Sequence, residues 1–466
     1  MNRINARAHA FNHMKRTSRW RPSPSRWVLV ASLATVGLGS VPIQVAHAAP
    51  VQVPCNVNNL INAINSAASG DFLSLAEGCI YTLTAVNNSD PNLGDNGLPV
   101  ITKTLTIKGN GATITRAQGA PKFRIFQVAH NGGDLTVSDL TVDNGDTSGT
   151  DPQAGVGGGI VNVGTLKVTN GTFSRNHASF GGGGIDNGIP QEPNVNPVPG
   201  NLTLSDSVLF DNSGGIGAAI GNGATSTMNL AGCTISHNTA SVEGGGVGNQ
   251  GTAILDKCTI GGNTTTGVGG GIVNGGQLVL TDSPVTGNHA IADNSSNCPF
   301  TGLGGGIFNA PAPGSTVTLI HSPVTGNEAI AAKSGSGCSS SGVSNTGLGG
   351  GILNAAFNGV FGTASLTDSD VSGNSAASGG GIANVGPMTL THSNVTGNNS
   401  TGDGGGIFNL TDRGNNTPIA ALTLTHSDVI GNNAGKGQHG GGIFNEAGNK
   451  VTLNDSTVTG NTPDDF

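Results

Sequence analysis

Aromatic and charged residues are both scarce in this sequence. It has one Tyr, two Trp and 14 Phe among 466 residues, and 10% of its residues are charged. A core built from large rings is therefore excluded, and so is a densely charged surface. After residue 48 only four Arg occur, and we expect none to lie beside a column of Asp: Arg116, Arg124, Arg175 and Arg413.

Positive charge is the scarcer sign. Residues 1–48 contain seven of the 19 basic residues and no acid. Without that segment, 12 basic residues face 27 acidic ones, a net charge of −15. Nucleic acid and anionic membranes are therefore poor partners.

Long apolar runs are rare, and the clearest lies near the start of the chain. It spans Trp27–Val45, is interrupted by Gly37 and Pro42, and is followed by the small-x-small pattern Ala46-His47-Ala48. Basic residues before an apolar run of this kind are typical of a signal peptide. We predict that residues 1–48 are a signal peptide and that the mature protein is secreted or on the cell surface, without a transmembrane anchor. A short membrane anchor is the alternative.

Gly, in contrast, is abundant, with 79 residues, and much of it is periodic. A Gly-rich tetrapeptide ending in Ile or Val recurs ten times, with a minimum spacing of 25 residues that longer intervals exceed by insertions. Disordered chains do not repeat apolar residues at fixed offsets, so disorder is excluded. The ten apolar positions are Ile160, Ile185, Ile220, Val247, Ile272, Ile307, Ile352, Ile382, Ile407 and Ile443.

Each repeat also contains two Asn at fixed offsets. The first follows the Ile or Val by two residues, at Asn162, Asn187, Asn222, Asn249, Asn274, Asn309, Asn354, Asn384, Asn409 and Asn445. The second follows a later apolar residue by three, at Asn176, Asn212, Asn238, Asn263, Asn288, Asn327, Asn374, Asn398, Asn432 and Asn461. Alternating segments such as Leu166-Lys167-Val168 lie between them, which indicates three short strands per repeat.

These repeats predict an all-β fold, a right-handed parallel β-helix. A repeat of about 25 residues cannot bury its own core, so it must pair with equivalent strands about 4.8 Å above and below. About ten coils would give a rod of about 50 Å. We place the N-terminal cap and irregular first coils at residues 49–156 and the regular coils at residues 157–466.

The Asn positions suggest two internal ladders. Asn tolerates left-handed backbone at corners, and its amide can bond to the Asn one coil away. Ligand binding by these columns is the alternative. A further inward column of small residues should lie two positions before the second apolar residue, at Ser207, Cys233, Cys258, Ser283, Ser322, Ser369, Ser393, Ser427 and Ser456.

The paired signatures resemble the repeats of polymorphic outer membrane proteins, which carry a GGA-aliphatic and an FxxN tetrapeptide in each coil. Here they occur as Gly-Gly-Gly-Ile and, in full, as Phe173-Ser174-Arg175-Asn176, across roughly residues 157–461. The resemblance implies surface-exposed, often adhesive coils. In that family a membrane barrel follows the coils. None follows here before Phe466, so we expect the fold without self-export.

The start of the mature chain and the cysteines indicate how the stack is fastened. Residues 57–68 place Val57, Leu60, Ile61, Ile64 and Ala68 on one helical face, which predicts a capping helix. Six Cys in an exported chain suggest disulfides at Cys55–Cys79 and Cys298–Cys338. Cys233 and Cys258 lie one coil apart, so a disulfide and two buried thiols are both open. The absence of a CxxC motif argues against a metal site.

Two features are candidates for function. Insertions occur after the first Asn, at 187–201, 309–316, 354–363 and 409–420, and after the second, at 288–303, 327–348 and 432–439. They are either functional loops or tolerated drift. An outward polar column beside the Ser column could bind a weak cation such as calcium, or be a solvated stripe: Asp282, His321, Asp368, His392, His426 and Asp455.

The sequence therefore predicts a monomeric, non-catalytic protein that is structural or adhesin-like. It would bind a glycan or cell-envelope ligand through its lateral face and loops, without a cofactor unless calcium binds. The alternative is a carbohydrate-active enzyme of the same fold, pectate-lyase-like or polygalacturonase-like, which would need a cleft with clustered carboxylates or a carboxylate–Arg cluster.

Overall fold

The alternating segments form strands that stack in register, as the repeat predicts. The structure, a computed structural model, describes residues 49–149, 154–189, 198–292, 301–332, 347–412, 414 and 419–466. In one representative pair Leu166 lies over Leu202 and Val168 over Leu204, in parallel. The fold is the predicted right-handed parallel β-helix. The predicted signal peptide and the Cys298–Cys338 pair lie outside the described residues.

Each regular coil contains up to four strands rather than the three that the sequence predicts. We name them A to D in chain order, beginning at the Gly-rich motif: A holds the first Asn, B is the alternating segment, C precedes the second Asn, and D follows it. The D strands were missed because short segments such as Thr264–Thr265 carry no hydrophobic alternation. They pair because the strands on either side fix their position.

The A strands form a sheet of eleven parallel strands, the first sheet. Their bounds are Phe126–Val128, Ile160–Asn162, Ile185–Asn187, Ile220–Asn222, Val247–Asn249, Ile272–Asn274, Ile307–Asn309, Ile352–Asn354, Ile382–Asn384, Ile407–Asn409 and Ile443–Asn445.

The B and C strands form a second sheet of 25 strands. Two strands run through both positions, Thr104–Arg116 and Asp134–Asp143. The other B strands are Val51–Val53, Asp71–Leu75, Thr165–Thr169, Asn201–Ser205, Thr227–Ala231, Thr252–Asp256, Gln277–Thr281, Thr316–Ile320, Thr363–Thr367, Pro387–Thr391, Ala421–Thr425 and Lys450–Asn454. The other C strands are Ile80–Leu83, Thr172–Ser174, Val208–Phe210, Thr234–Ser236, Thr259–Gly261, Val285–Thr286, Val324–Thr325, Val371–Ser372, Val395–Thr396, Val429–Ile430 and Val458–Thr459.

The nine D strands form the third sheet, and two antiparallel hairpins lie outside the coils. The D strands are Asp146–Thr147, His177–Ala178, Ser213–Ile216, Thr239–Glu243, Thr264–Thr265, His289–Ile291, Glu328–Ile330, Ser375–Ala376 and Asn399–Ser400. The hairpins pair Asn88–Asp90 with Gly94–Asn96 and Ala356–Phe357 with Val360–Phe361. Pairing of the second sheet is continuous across residue 156, because Asp134–Asp143 pairs with Thr165–Thr169.

Both Asn columns lie inside the coils and form hydrogen-bonded ladders. Asn263 is representative: its Nδ2 donates to Asn288 Oδ1 at 3.0 Å and to the Ile235 carbonyl at 3.0 Å, and its Oδ1 accepts from the backbone N and Nδ2 of Asn238. Asn162 begins the other ladder with a bond of 2.7 Å to Asn187. With their donors and acceptors used, these amides have no capacity left for a ligand.

The left-handed corners fall on neighbouring residues and not on the ladder Asn, so that part of the prediction is wrong. Positive φ occurs one residue before the second Asn, as at Arg175, His237 and Gly262, and one residue before the Ser column. The reason is the direction of the side chains. A ladder amide must point inward, whereas the residue at the corner points outward and adopts the left-handed backbone.

The small-residue column is internal, and its two Cys keep free thiols. Cys233 N donates to Sγ of the next member of the column, Cys258, at 3.4 Å. Ser322 N donates in the same way to Oγ of its next member, Ser369. Each thiol also turns toward the carbonyl two residues earlier, Ala231 or Asp256. The possible Cys233–Cys258 disulfide is therefore wrong, because the sulfurs point the same way and not toward each other.

A short helix closes the first coil. It spans Val57–Ser66, two residues shorter than predicted, and buries Leu60 and Ile64, while Ala68 is exposed. Asn56 caps its start, and Lys103 Nζ donates to carbonyls of its last turn and beyond, Ile64 and Ala67. The predicted Cys55–Cys79 disulfide is present, with 5.6 Å between the two Cα atoms. It ties the helix to the B and C strands below.

Candidate functional site

The predicted polar column lies at left-handed corners between the B and C strands. All six residues have φ between 44° and 50°. Asp, Asn and His are the non-glycine residues most enriched in this conformation. The same corner carries Asp139, Asn170 and Asp206 in earlier coils. Backbone conformation therefore explains the residue types without a ligand.

Side chains of this column interact in pairs along the stack. His321 lies between Asp282 and Asp368, with N–O distances of 3.8 and 3.5 Å, and the rings of His392 and His426 stack with centroids 5.1 Å apart. These side chains are exposed, His321 to 58%. Among the described residues no group of three His, Cys, Asp or Glu is placed to hold a metal ion. Calcium binding here stays a prediction.

A second feature, which the sequence did not reveal, lies on the outer face of the first sheet. In each A strand the first and third residues point inward, so the middle residue points outward. In the last six coils this residue is apolar: Val273, Phe308, Leu353, Ala383, Phe408 and Phe444. The strand pairing places each directly over the next, which makes a continuous apolar strip about 24 Å long.

Six of the seven insertions border this strip; the seventh, 187–201, follows an A strand three coils before the strip begins. The set that follows the first Asn leaves each A strand at its end, and the set that follows the second Asn leads into the start of the next A strand. The described parts of the two rows therefore stand on opposite sides of the strip. We call the strip and its two walls the lateral groove. No other sheet has insertions along both sides in the part of the chain that the structure describes.

One wall of the groove is a column of single-residue bridges. Glu243, Val268, Leu303, Leu348 and Ser378 pair in succession along the stack. Its middle three members pack with the strip in a cluster separate from the main core. The carboxylate of Glu243 stands at one end of this apolar wall.

The hairpin after Asn354 forms most of the opposite wall. Its residues Phe357, Val360 and Phe361 are 46%, 37% and 39% exposed. Asp412 Oδ2 accepts from Gly359 N at 2.7 Å, which fastens the hairpin turn to the insertion that follows Asn409. A fixed hairpin with an apolar surface is unusual for a loop that only tolerates drift.

The groove contains two cavities. The central cavity is about 590 Å³ and is lined mainly by apolar side chains, including Phe308, Leu353 and Leu410, with Glu243 at its edge. The second is about 520 Å³ and lies over Phe408 and Phe444, with Asp403 and Glu446 in its lining. Neither lining contains Lys or Arg among the described residues.

Glu243 is in an unusual electrostatic position. It forms no ion pair or side-chain hydrogen bond with any described residue. Burial beside the apolar wall raises the pKa of its carboxyl above the ordinary value, and no cation among the described residues opposes that rise. Within the described part of the chain, nothing therefore compensates for removing this carboxylate from water.

At the N-terminal end the same face is covered, and it contains a buried polar cluster beside an apolar one. Arg124 lies beneath the hairpin Asn88–Asp90/Gly94–Asn96 and donates to Asn96 Oδ1 and to the carbonyls of Ala154 and Val156. Burial lowers the pKa of Arg124 to about 10. Its Nε has no hydrogen-bond partner in the described structure.

Asp186 occupies the outward position of its A strand near Arg124. Burial raises its pKa to about 7, although a hydrogen bond from Gly182 N and the charge of Arg124 oppose the rise. The cluster is sealed: Arg124 is 0% exposed and Asp186 3%. It anchors the covering hairpin and does not line a cleft.

Three of the four Arg lie near individual acidic residues. Arg124 interacts electrostatically with Asp186, Arg175 Nη2 lies 2.8 Å from Asp143, and Arg116 lies 3.5 Å from Asp146. The Arg175 and Arg116 contacts join residues of successive coils, and Arg124 and Asp186 lie two coils apart. Offsets changed by insertions hide such pairs in the sequence. Arg413 lies outside the described residues.

Comparisons with known proteins give no family for the chain. No family model matches it, and no curated protein matches it. Among solved structures, it is similar to the pectate lyase Pel9A, with 12% identity, a TM-score of 0.30 and coverage of 86% of this chain and 74% of that one. The periplasmic alginate epimerase AlgG is 10% identical, with a TM-score of 0.32 and coverage of 87% of this chain and 83% of that one. The A-module of the mannuronan C-5 epimerase AlgE6 from Azotobacter vinelandii is 13% identical, with a TM-score of 0.34 and coverage of 86% of this chain and 93% of that one. Similarity at this level carries no argument about chemistry.

Proposed function

We propose that this chain is an exported, non-catalytic binding protein, structural or adhesin-like in type, that takes its ligand in the lateral groove. One observation carries the proposal: both rows of insertions border the same face, and the floor between them is an apolar strip. Most residues of this strip are buried between the two walls, and a concave, mostly apolar site of this kind is typical of ligand pockets.

Export and surface location are part of the same proposal. The basic and apolar order of residues 1–48 supports it, and the Cys55–Cys79 disulfide fits an oxidising compartment. Membership of the polymorphic outer membrane protein repeat family is supported by the two tetrapeptides, which begin the A strands and end the C strands. No described helix has the length and apolarity needed to span a membrane.

The composition of the groove favours binding over catalysis. Cleavage of a glycosidic bond commonly uses two facing carboxyl groups, and Glu243 is the only carboxyl group in the central cavity among the described residues. A larger cavity of about 820 Å³ lies over the first coils, but its lining, which includes Lys108 and Asp139, contains no insertion residue.

The test compares binding of two matched variants to cell-envelope preparations and to a glycan array. Phe357→Ser with Val360→Ser removes two exposed apolar side chains that line the central cavity. Val208→Ser with Ile254→Ser removes side chains of similar exposure from the second sheet, 38% and 44% exposed. We expect the groove pair to weaken binding at least tenfold and the control pair to leave it unchanged.

Two results would overturn the proposal. Equal binding by the two variants would place recognition outside the groove. Release of unsaturated or reducing ends from polyuronides by the unaltered chain would instead establish a carbohydrate-active enzyme. Calcium is tested separately, by a thermal melt with the metal alone: an increase in Tm at millimolar calcium is expected only if the corner column binds it.

A further inference from the structure

We propose that the central cavity of the lateral groove binds a linear amphiphile, an apolar chain with one cationic head group that pairs with Glu243. This inference rests on the proposed function and names the ligand class of the same groove.

The shape of the cavity fits a chain more than a compact ring system. Its lining runs from Glu243, at the level of the fifth A strand, to Leu410, at the level of the tenth. Five coil spacings correspond to about 24 Å. A cavity of about 590 Å³ that extends over this length is narrow. Its volume lies in the range of small-molecule sites.

The lining explains why the body of the ligand must be apolar. Val268, Leu303 and Leu348 form one side, and Phe308 and Leu353 form the floor. The polar side chains on the cavity, apart from Glu243, are Asn358 and Thr411. A sugar ring would leave most of its hydroxyl groups without partners against such a surface, which costs free energy for every buried group.

Charge complementarity fixes the head group. Glu243 is half-buried at the end of the apolar wall, and no described cation lies against it. An ammonium group there would restore the interactions that the carboxylate loses on leaving water, whereas a sulfate or carboxylate head would be repelled. The acidic balance of the chain, −15 after residue 48, acts in the same direction at longer range.

The experiment measures calorimetric binding of three probes to the full mature chain at neutral pH, each below its micelle-forming concentration. The probes share a twelve-carbon chain and differ in the head: dodecylammonium, dodecyl sulfate and dodecyl maltoside. We expect dodecylammonium to bind at one site per chain, at least tenfold more tightly than dodecyl sulfate. Glu243→Gln should abolish that preference and leave maltoside binding within twofold.

Glu328→Gln is the matched control, because Glu328 is half-exposed on a D strand and pairs with His289 outside the cavity. It should keep the preference for dodecylammonium. Equal binding of the cationic and anionic probes, or a preference that survives Glu243→Gln, would overturn the inference. So would failure of all three probes to bind, and the proposed function would then stand or fall separately on the envelope test.

Discussion

Backbone conformation at single residues decides much of what the sequence displays. Asp and His gather in one column because that corner needs a left-handed residue, and six of them from Asp282 to Asp455 have φ near 48°. In the sequence this column looks like a cation site. The buried Asn amides have the opposite character, since every one of their hydrogen-bonding groups is needed by the next coil.

A break in the second Asn ladder should therefore be costly. Asn263→Ala leaves two donors of Asn238 without their acceptor, and it removes one donor each from Asn288 Oδ1 and from the Ile235 carbonyl. We expect the free energy of unfolding to fall by about 3 kcal/mol, from several buried groups left unpaired. Denaturant unfolding measures the loss. Asn399→Ala, at an exposed position, should change the midpoint little, and similar losses in the two variants would contradict the ladder account.

Asp186 gives a pH dependence with a definite sign. Because burial raises its pKa to about 7 in the folded chain, from about 3.9 when unfolded, the folded state holds the proton more tightly. Its contribution to stability is full below about pH 4 and is lost as the pH rises through 7.

Asp186→Asn cannot ionise, so its Tm relative to the parent chain should increase between pH 4 and pH 8. Thermal melts of both proteins across that range measure the difference, and Asp95→Asn is a control at a position nearer the surface. A constant difference in Tm between the parent chain and Asp186→Asn across this pH range would contradict the raised pKa of the buried Asp186 carboxyl.

At the scale of elements, the strands that a hydrophobic pattern specifies were predicted from the sequence. The strands that form only through contacts with neighbouring segments were missed. The A, B and C strands follow from Ile-x-Asn, from alternation, and from the apolar residue before the second Asn. Strands such as Thr264–Thr265 have no such pattern and form only because Asn263 holds the chain beside its neighbours. The helix was predicted, but its end at Ser66 depends on contacts that Lys103 brings from the next coil.

The pairing state of the cysteines tests how the elements that contain them are arranged. Non-reducing peptide mapping with thiol labelling after denaturation should find Cys55 linked to Cys79 and should label Cys233 and Cys258 as free thiols. A linked Cys233–Cys258 peptide would contradict the parallel orientation of the two side chains. The Cys298–Cys338 crosslink stays a prediction that the same map decides, and recovery of both as thiols would remove it.

At the scale of the whole molecule, the stack turns small local choices into long surfaces. An apolar residue between Ile and Asn in one coil is only an exposed side chain, but six in succession make the floor of the lateral groove. These residues could be seen in the sequence once the strand facing was known. The position of Glu243 could not, because it depends on where a D strand ends against the wall.

The central claim is that the coils stack in register, since both the ladders and the groove depend on it. Crystallographic determination of the chain tests this most directly. The account predicts Asn238 Nδ2 about 3 Å from Asn263 Oδ1, and Phe308 and Leu353 paired side by side on the outer face. A register in which these residues face different partners, or a fold without stacked parallel strands across residues 157–461, would contradict it.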